Sequence, residues 1–340
     1  MRGRLPDGRG NRKSPLPFEV IPTVTELFED FDDISDLAEG LDDPSPGARI
    51  MAVIELADSA DPAAIPHLAR AITDVDASVR KQAAQALTDF DGPDTAAALV
   101  SVLKDPEPSV IEAAAISLTE LKDPTSGNAI LPHLDDEDDV KLAACLAGIK
   151  ELRRPEALGP AINALQHRST TVRVQAVGVI GWLQDEAALP ALREAAKDAD
   201  KLVRRTALAA LGFSNSEHAE ATLVNGLVDS EWMVRESAAE TLAKTGGASC
   251  VEALRIALDD EFWQVRLKAV RSLGRLGATD AALQIAPMMD IPVPNLRKEC
   301  AAVLGELAVP ETAQFLEKYA DDADPDVRKN VRWALEKLAA

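Results

Sequence analysis

Residues 74–87 (DVDASVRKQAAQAL) and 198–211 (DADKLVRRTALAAL) are two copies of one pattern, an Asp followed by Val-Arg-x-x-Ala-x-x-x-Leu, set 124 residues apart. Outward from these copies the pattern returns every 31 residues. With the valine taken as anchor, the anchors fall at Ala48, Val79, Val110, Lys141, Val172, Val203, Val234, Val265, Leu296 and Val327, with no drift in spacing. At 3.6 residues per turn, an anchor and the residues four, eight and eleven places on share one helix face, so each unit is predicted to bury a stripe of small aliphatic side chains. An earlier helix precedes it in the same unit, as at 62–73 (PAAIPHLARAIT), 155–166 (PEALGPAINALQ), 217–228 (EHAEATLVNGLV) and 247–258 (GASCVEALRIAL). One helix–turn–helix unit cannot cover its own apolar faces, whereas a stack of them shares a continuous core.

The expected fold is therefore all-α, a superhelical α-solenoid of about ten helical hairpins. It occupies 23–340 as one domain, because no linker interrupts the period. An irregular, acidic helix near 23–41 opens the first unit. Residues 1–22, rich in Gly, Pro and Arg, have no helical period and are expected to form a flexible basic tail.

Two further positions repeat. Five residues before the anchor stand Asp43, Asp74, Asp105, Asp136, Asp198, Asp229, Asp260 and Asp322. They lie just ahead of each second helix, where free backbone N–H groups and the macrodipole favour negative charge. One residue after the anchor stand Arg49, Arg80, Arg173, Arg204, Arg235, Arg266, Arg297 and Arg328. Asp followed by Val-Arg-x-x-Ala-x-x-x-Leu at this period resembles the HEAT repeat, most of all the short variety found in phycobilisome bilin lyases, and the likeness covers 24–340. The resemblance implies that these Asp and Arg side chains stack along the solenoid as a charge ladder. It also implies an interaction scaffold, such as an assembly or maturation helper for a cofactor-containing enzyme, or alternatively a subunit that holds a tetrapyrrole while it is attached to a protein. Such solenoids serve many tasks, so the likeness fixes fold more tightly than function.

Composition narrows the partners. The net charge is −21; residues 1–13 carry +4, which leaves −25 on the remainder. Such a field repels phosphate backbones, and it departs from the basic concave face of HEAT-like DNA glycosylases. A protein partner, itself basic, fits better than nucleic acid. Cys145, Cys250 and Cys300 are too few and too widely spaced for a disulfide framework, which points to the cytoplasm. No stretch has the apolar length of a signal peptide or of a membrane helix. Oligomeric state is left open.

The pattern breaks in one neighbourhood. Ile111 and Leu142 replace ladder arginines in units three and four, and His167 replaces the Asp of unit five. Across units four to six the positions two, six and nine after the anchor read Ala143, Ala147 and Lys150, then Val174, Gly178 and Gly181, then Arg205, Ala209 and Gly212. This strip is bare, and Gly178 costs roughly 1 kcal/mol relative to alanine inside a helix. Either the small residues permit tight curvature or something approaches the backbone closely. Clustered departures in an otherwise regular array mark Ile111, Leu142, His167, Val174 and Gly178 as the candidate partner-binding residues. Gly181, Gly212, Gly274 and Gly305 share one register and are expected to be structural.

Chemistry is harder to find. His67, His133, His167 and His218 sit at different registers and are not followed by Glu, unlike the His-Glu pairs of HEAT-like di-iron hydroxylases, so no metal set is assigned. The run 135–139 (DDEDD) lacks the glycine and ligand spacing of a calcium loop and reads as a solvated helix start. Cys145 and Cys300 share a small core position and read as buried hydrophobes. Trp232 and Trp263 stand two residues before successive anchors, where they either pack at the turn or form an aromatic shelf. Trp333 is expected to cover the C-terminal end. No catalytic residue and no cofactor is assigned.

Overall fold

The computed structural model describes residues 34–214, 216–245 and 248–339; the expected tail at 1–22 and the first part of the opening helix lie outside the described residues. Among the described residues every regular element is helical. The ten second helices run Pro46–Asp58, Ala77–Ala86, Pro108–Glu120, Asp139–Ile149, Thr170–Leu183, Lys201–Ala210, Trp232–Thr245, Trp263–Arg275, Pro294–Leu307 and Pro325–Leu338. Each begins two residues before its anchor. The strict register thus holds even at Lys141, where the sequence offers Val140 as a rival anchor and the structure leaves Val140 exposed.

Helix starts explain that constancy. The residue three before the anchor is the N-cap: Asp76 accepts from the Ser78 N–H, Asp138 from Val140 and Lys141, Asp200 from Leu202, and Asp324 from Asp326 and Val327. This corrects the expectation placed on the ladder Asp, which lies two residues too early to cap. It organises the turn instead. Oδ1 of Asp74 accepts the Asp76 N–H at 2.8 Å, and Asp43, Asp105, Asp136, Asp198, Asp229, Asp260 and Asp322 do the same for the N–H two residues on. Prolines at the first helical turn, such as Pro46, Pro108 and Pro325, remove an N–H that would have had no partner there.

The anchor stripe is core, as the periodicity predicts: Val79, Ala83 and Leu87, or Val203, Ala207 and Leu211, are fully buried. Each second helix packs on the second helix of the next unit. First helices are shorter than the sequence suggests. The stretch expected as 62–73 is a 3-10 turn at Pro62–Ala64 followed by an α-helix at Ile65–Ala71. Pro66 has no N–H to return to residue 62, so the α-helical ladder cannot run back through the turn.

The in-register glycines mark where neighbouring second helices come closest. A Cβ at Gly181 would lie 3.1 Å from Ala210 Cβ, and one at Gly212 would lie 2.8 Å from Thr241 Cγ2. At Gly274 the neighbour is Val303, and at Gly305 it is the Trp333 ring with the Ala334 backbone. Trp333 therefore lies across the penultimate second helix, 38% exposed.

Candidate functional site

The ladder runs along the edge formed by the turns into the second helices. In each complete rung the arginine of one unit reaches the aspartate of the next, 25 residues on, through two parallel hydrogen bonds. Arg49 Nε and Nη2 lie 2.7 Å from Asp74 Oδ2 and Oδ1, while Nη1 donates at 2.9 Å to the Asp43 carbonyl of its own unit. The same geometry joins Arg80 to Asp105, Arg173 to Asp198, Arg204 to Asp229, Arg235 to Asp260 and Arg297 to Asp322. Planar fork-to-fork pairing suits arginine, because both charges keep hydrogen-bond partners once they leave bulk water. The Arg49 guanidinium holds the Asp74 carboxyl below the usual carboxylate range against the opposing effect of burial, and Arg80 and Arg297 do so for Asp105 and Asp322. These aspartates are thus doubly used, by their own turn and by the preceding unit.

Three interfaces lack the rung. Between units three and four, Ile111 is half-buried against the core, and Asp136 instead meets Lys104 at 2.9 Å and Lys141 at 3.2 Å. The Asp138 turn N–H, then Lys104, keep the Asp136 carboxyl far below its ordinary range. Between units four and five, Leu142 is 4% exposed and His167 occupies the aspartate position. His167 keeps the turn, since its Nδ1 accepts the Ser169 N–H at 3.2 Å, and its Nε2 faces Asp139 Oδ1 at 3.7 Å. Between units eight and nine, Ile291 stands where Arg266 needs a carboxylate, and the buried Arg266 Nε has no hydrogen-bond partner. Arg266 is therefore not a rung, contrary to the reading of the arginine column alone. Arg328, in the last unit, donates to the carbonyls of Asp322 and Ala323.

One of these gaps coincides with a sizeable groove. A groove of about 900 Å³ lies between units four and five, with Leu131, Leu134, Leu142, Pro160 and Ala164 among its apolar lining. Asp135, Asp136 and Glu137 line one side, and His167 and Arg168 also reach it. A comparable groove of about 840 Å³ follows one unit on, between units five and six beside the complete Arg173–Asp198 rung, so the first groove differs in its lining and not in its size. Of the five candidate binding residues, the structure brings Leu142 and His167 together in this groove. Ile111, Val174 and Gly178 do not line it. Val174 is half-buried against the core, and a Cβ on Gly178 would meet Lys150 Cδ at 3.3 Å, so a lysine side chain already covers that glycine.

The remaining candidates have local partners. Trp232 stacks on Phe262, with ring centroids 5.7 Å apart, and Arg235 lies over the Phe262 ring. Phe262 went unnoticed in the sequence because it lies outside the repeat motif. Trp232 and Trp263 both pack partly buried against the core. In the 135–139 run, Asp136 serves the lysines, Asp138 caps and Asp139 pairs with Arg168 at 2.9 Å. All three cysteines are buried. Burial pushes the Cys145 thiol up to about 12 and raises Cys300 as well, so neither is a poised nucleophile. No helix among the described residues is long and apolar enough to cross a membrane.

A stack of helical hairpins clamped by inter-unit Arg–Asp rungs is an α-solenoid. The chain belongs to the HEAT-repeat family, whose model, described as HEAT repeats, matches residues 34–119, 70–147, 127–212, 194–262 and 251–336. No curated protein sequence matches it. Among solved structures it is similar to yeast importin-beta (Kap95p), at 14% identity and a TM-score of 0.64, over 90% of this chain and 52% of that one. Importin beta in an ammonium sulfate condition gives 14% and 0.65 over the same shares. A structure of Kap95p binding RanGDP gives 15% and 0.61, over 93% and 52%. The chain spans about half the length of these importin chains, and at such identity the likeness is one of fold.

Proposed function

We propose that this chain is an interaction scaffold that binds one protein partner through units three to five, and that the contacting surface of the partner is basic. The observation that carries the reading is the groove between units four and five, where an apolar lining meets an acidic side at an interface without an Arg–Asp rung. Its acidic side and the net charge of −21 favour a basic protein and oppose nucleic acid. On this reading Leu142 and His167 meet the partner in the groove itself, and Ile111, Val174 and Gly178, on the second helices of units three and five, are the proposed flanking contacts. The finer role, help in assembling or maturing a cofactor-containing enzyme in the cytoplasm, rests on the likeness to the short HEAT variety.

That likeness also supports a second reading, a subunit holding an open-chain tetrapyrrole. Against it, the propionates of such a pigment would face Asp135 and Glu137. Mixing the purified chain with an open-chain tetrapyrrole separates the two, since a new absorption band belongs to the second only. For the first, affinity capture with mass spectrometry should return one partner for the native chain. Gly178→Glu, placed on the bare strip, should lose that partner without lowering the melting temperature; unchanged capture sinks the assignment of that strip.

A further inference from the structure

The groove between units four and five resembles a rung from which the arginine has been taken away. In five of the six complete rungs, arginine Nη1 donates to two backbone carbonyls of its own unit, those five and four residues before the anchor, while Arg297 reaches only Ile291 O. Arg49 bonds Asp43 O and Pro44 O; Arg80 bonds Asp74 O and Val75 O; Arg173 bonds His167 O and Arg168 O; Arg204 bonds Asp198 O and Ala199 O. In unit four the corresponding acceptors are Asp136 O and Glu137 O. With Leu142 at the arginine position, no side chain among the described residues donates to either carbonyl. Both residues line the groove, where Pro160 and Ala164 stand opposite together with Asn163, His167 and Arg168, the last of these paired with Asp139. At Ile111 the equivalent carbonyls, Asp105 O and Pro106 O, likewise receive no side-chain donor among the described residues, but there Lys104 and Lys141 converge on the Asp136 carboxylate of unit four.

We propose that this slot receives an arginine side chain from the partner, with an adjacent leucine-like side chain seated on Leu131, Leu134 and Pro160. The inserted guanidinium donates to the Asp136 and Glu137 carbonyls as a ladder arginine would. The carboxylates of Asp135 and Glu137, which carry no ion pair among the described residues, supply the charge that His167 does not. Guanidinium fits better than ammonium, because the acceptors are two successive carbonyls, the pair that arginine takes in five of the six complete rungs. This deepens the scaffold reading and rests on it.

The test uses the full chain and fluorescein-labelled twelve-residue peptides with a central Arg-Leu-Arg-Leu, followed by fluorescence polarisation. The arginine peptide should bind at least tenfold more tightly than the same peptide with citrulline, which keeps the shape and loses the charge. Leu142→Arg with His167→Asp rebuilds the rung from inside, so it should weaken binding at least tenfold while leaving the melting temperature unchanged or higher. Asp135→Asn with Glu137→Gln changes surface groups only, and should weaken binding at least threefold. Equal binding of the citrulline peptide, undiminished binding to the rung-rebuilt chain, or no arginine-peptide binding at millimolar concentration each overturns the proposal. Capture of the natural partner by the rung-rebuilt chain keeps the two levels apart. Retained capture leaves the scaffold standing and removes the slot, whereas absent capture by the native chain removes the scaffold itself.

Discussion

Replacing Ile291 by aspartate should stabilise the chain, because it supplies the carboxylate that Arg266 lacks. In the six complete rungs arginine Nε meets aspartate Oδ2 at 2.6–2.8 Å. Arg266 Nε is out of water with no partner, and an unsatisfied buried donor costs about 1–3 kcal/mol, somewhat more when charged. Ile291 is half-buried, so removing it forfeits about 1 kcal/mol of apolar burial. The difference favours Ile291→Asp by about 1 kcal/mol. That corresponds to a rise of about 2–4 °C for a cooperative unit of this order of size. Thermal and urea unfolding of four chains decide the matter: native, Ile291→Asp, Arg266→Met and the double variant. Without Arg266 the aspartate is a solitary carboxylate in place of an aliphatic side chain, so the same substitution should destabilise. A coupling energy of about 1–2 kcal/mol is expected. An equal effect in both backgrounds refutes the reasoning, since the aspartate would then be acting on something other than the guanidinium.

Gly305→Ala should destabilise by about 1–2 kcal/mol and perturb Trp333 fluorescence, because the new Cβ would lie 2.8 Å from Ala334 Cα, beside the Trp333 ring. Gly178→Ala meets only the flexible Lys150 side chain, so helix propensity should prevail and stabilise by about 0.5–1 kcal/mol; like signs for the two would contradict the packing argument. The rung aspartates Asp74, Asp105 and Asp322 have depressed folded-state pKa values, through their arginines first. Their contribution to stability is complete above the ordinary aspartate value of about 4 and is lost as pH falls below it. Urea midpoints should therefore drop between about pH 4 and pH 2, and a midpoint that rises over that interval, as relief of the net −21 charge alone would produce, would count against the rungs.

The fold was legible because one 31-residue pattern states it ten times. Anchor, core stripe and ladder columns all follow from counting, and each second helix starts where the count places it. What each column read by itself could not reveal was pairing across units. Arg266 looks like every other ladder arginine along its own column, and only the identity of the residue 25 places on shows it to be unpaired. The cap was likewise misplaced by two residues, because both positions are rich in acids and only backbone geometry separates an N-cap from the turn before it. At the candidate site, Ile111, Leu142 and His167 were recognisable as departures, yet similar departures led to different outcomes. Lys104 and Lys141 take the Asp136 carboxylate at the first gap, whereas Arg168 and Asp139 pair across the second, beside the groove. Val174 and Gly178 were grouped with them by proximity in the sequence, but the groove lies along the first helix of unit five and the turns beside it, away from that strip.

The rungs also set how the array comes apart. Each ties one unit only to the next, so bidentate clamps hold units one to three, five to eight, and nine to ten as blocks, with unit four joined to its neighbours by other means. Amide hydrogen exchange in a nearest-neighbour array follows such blocks. The boundaries of concerted opening should therefore fall at Ile111, Leu142 and Ile291, and a partner seated between units four and five would slow exchange on both sides of its seat by fusing two blocks into one.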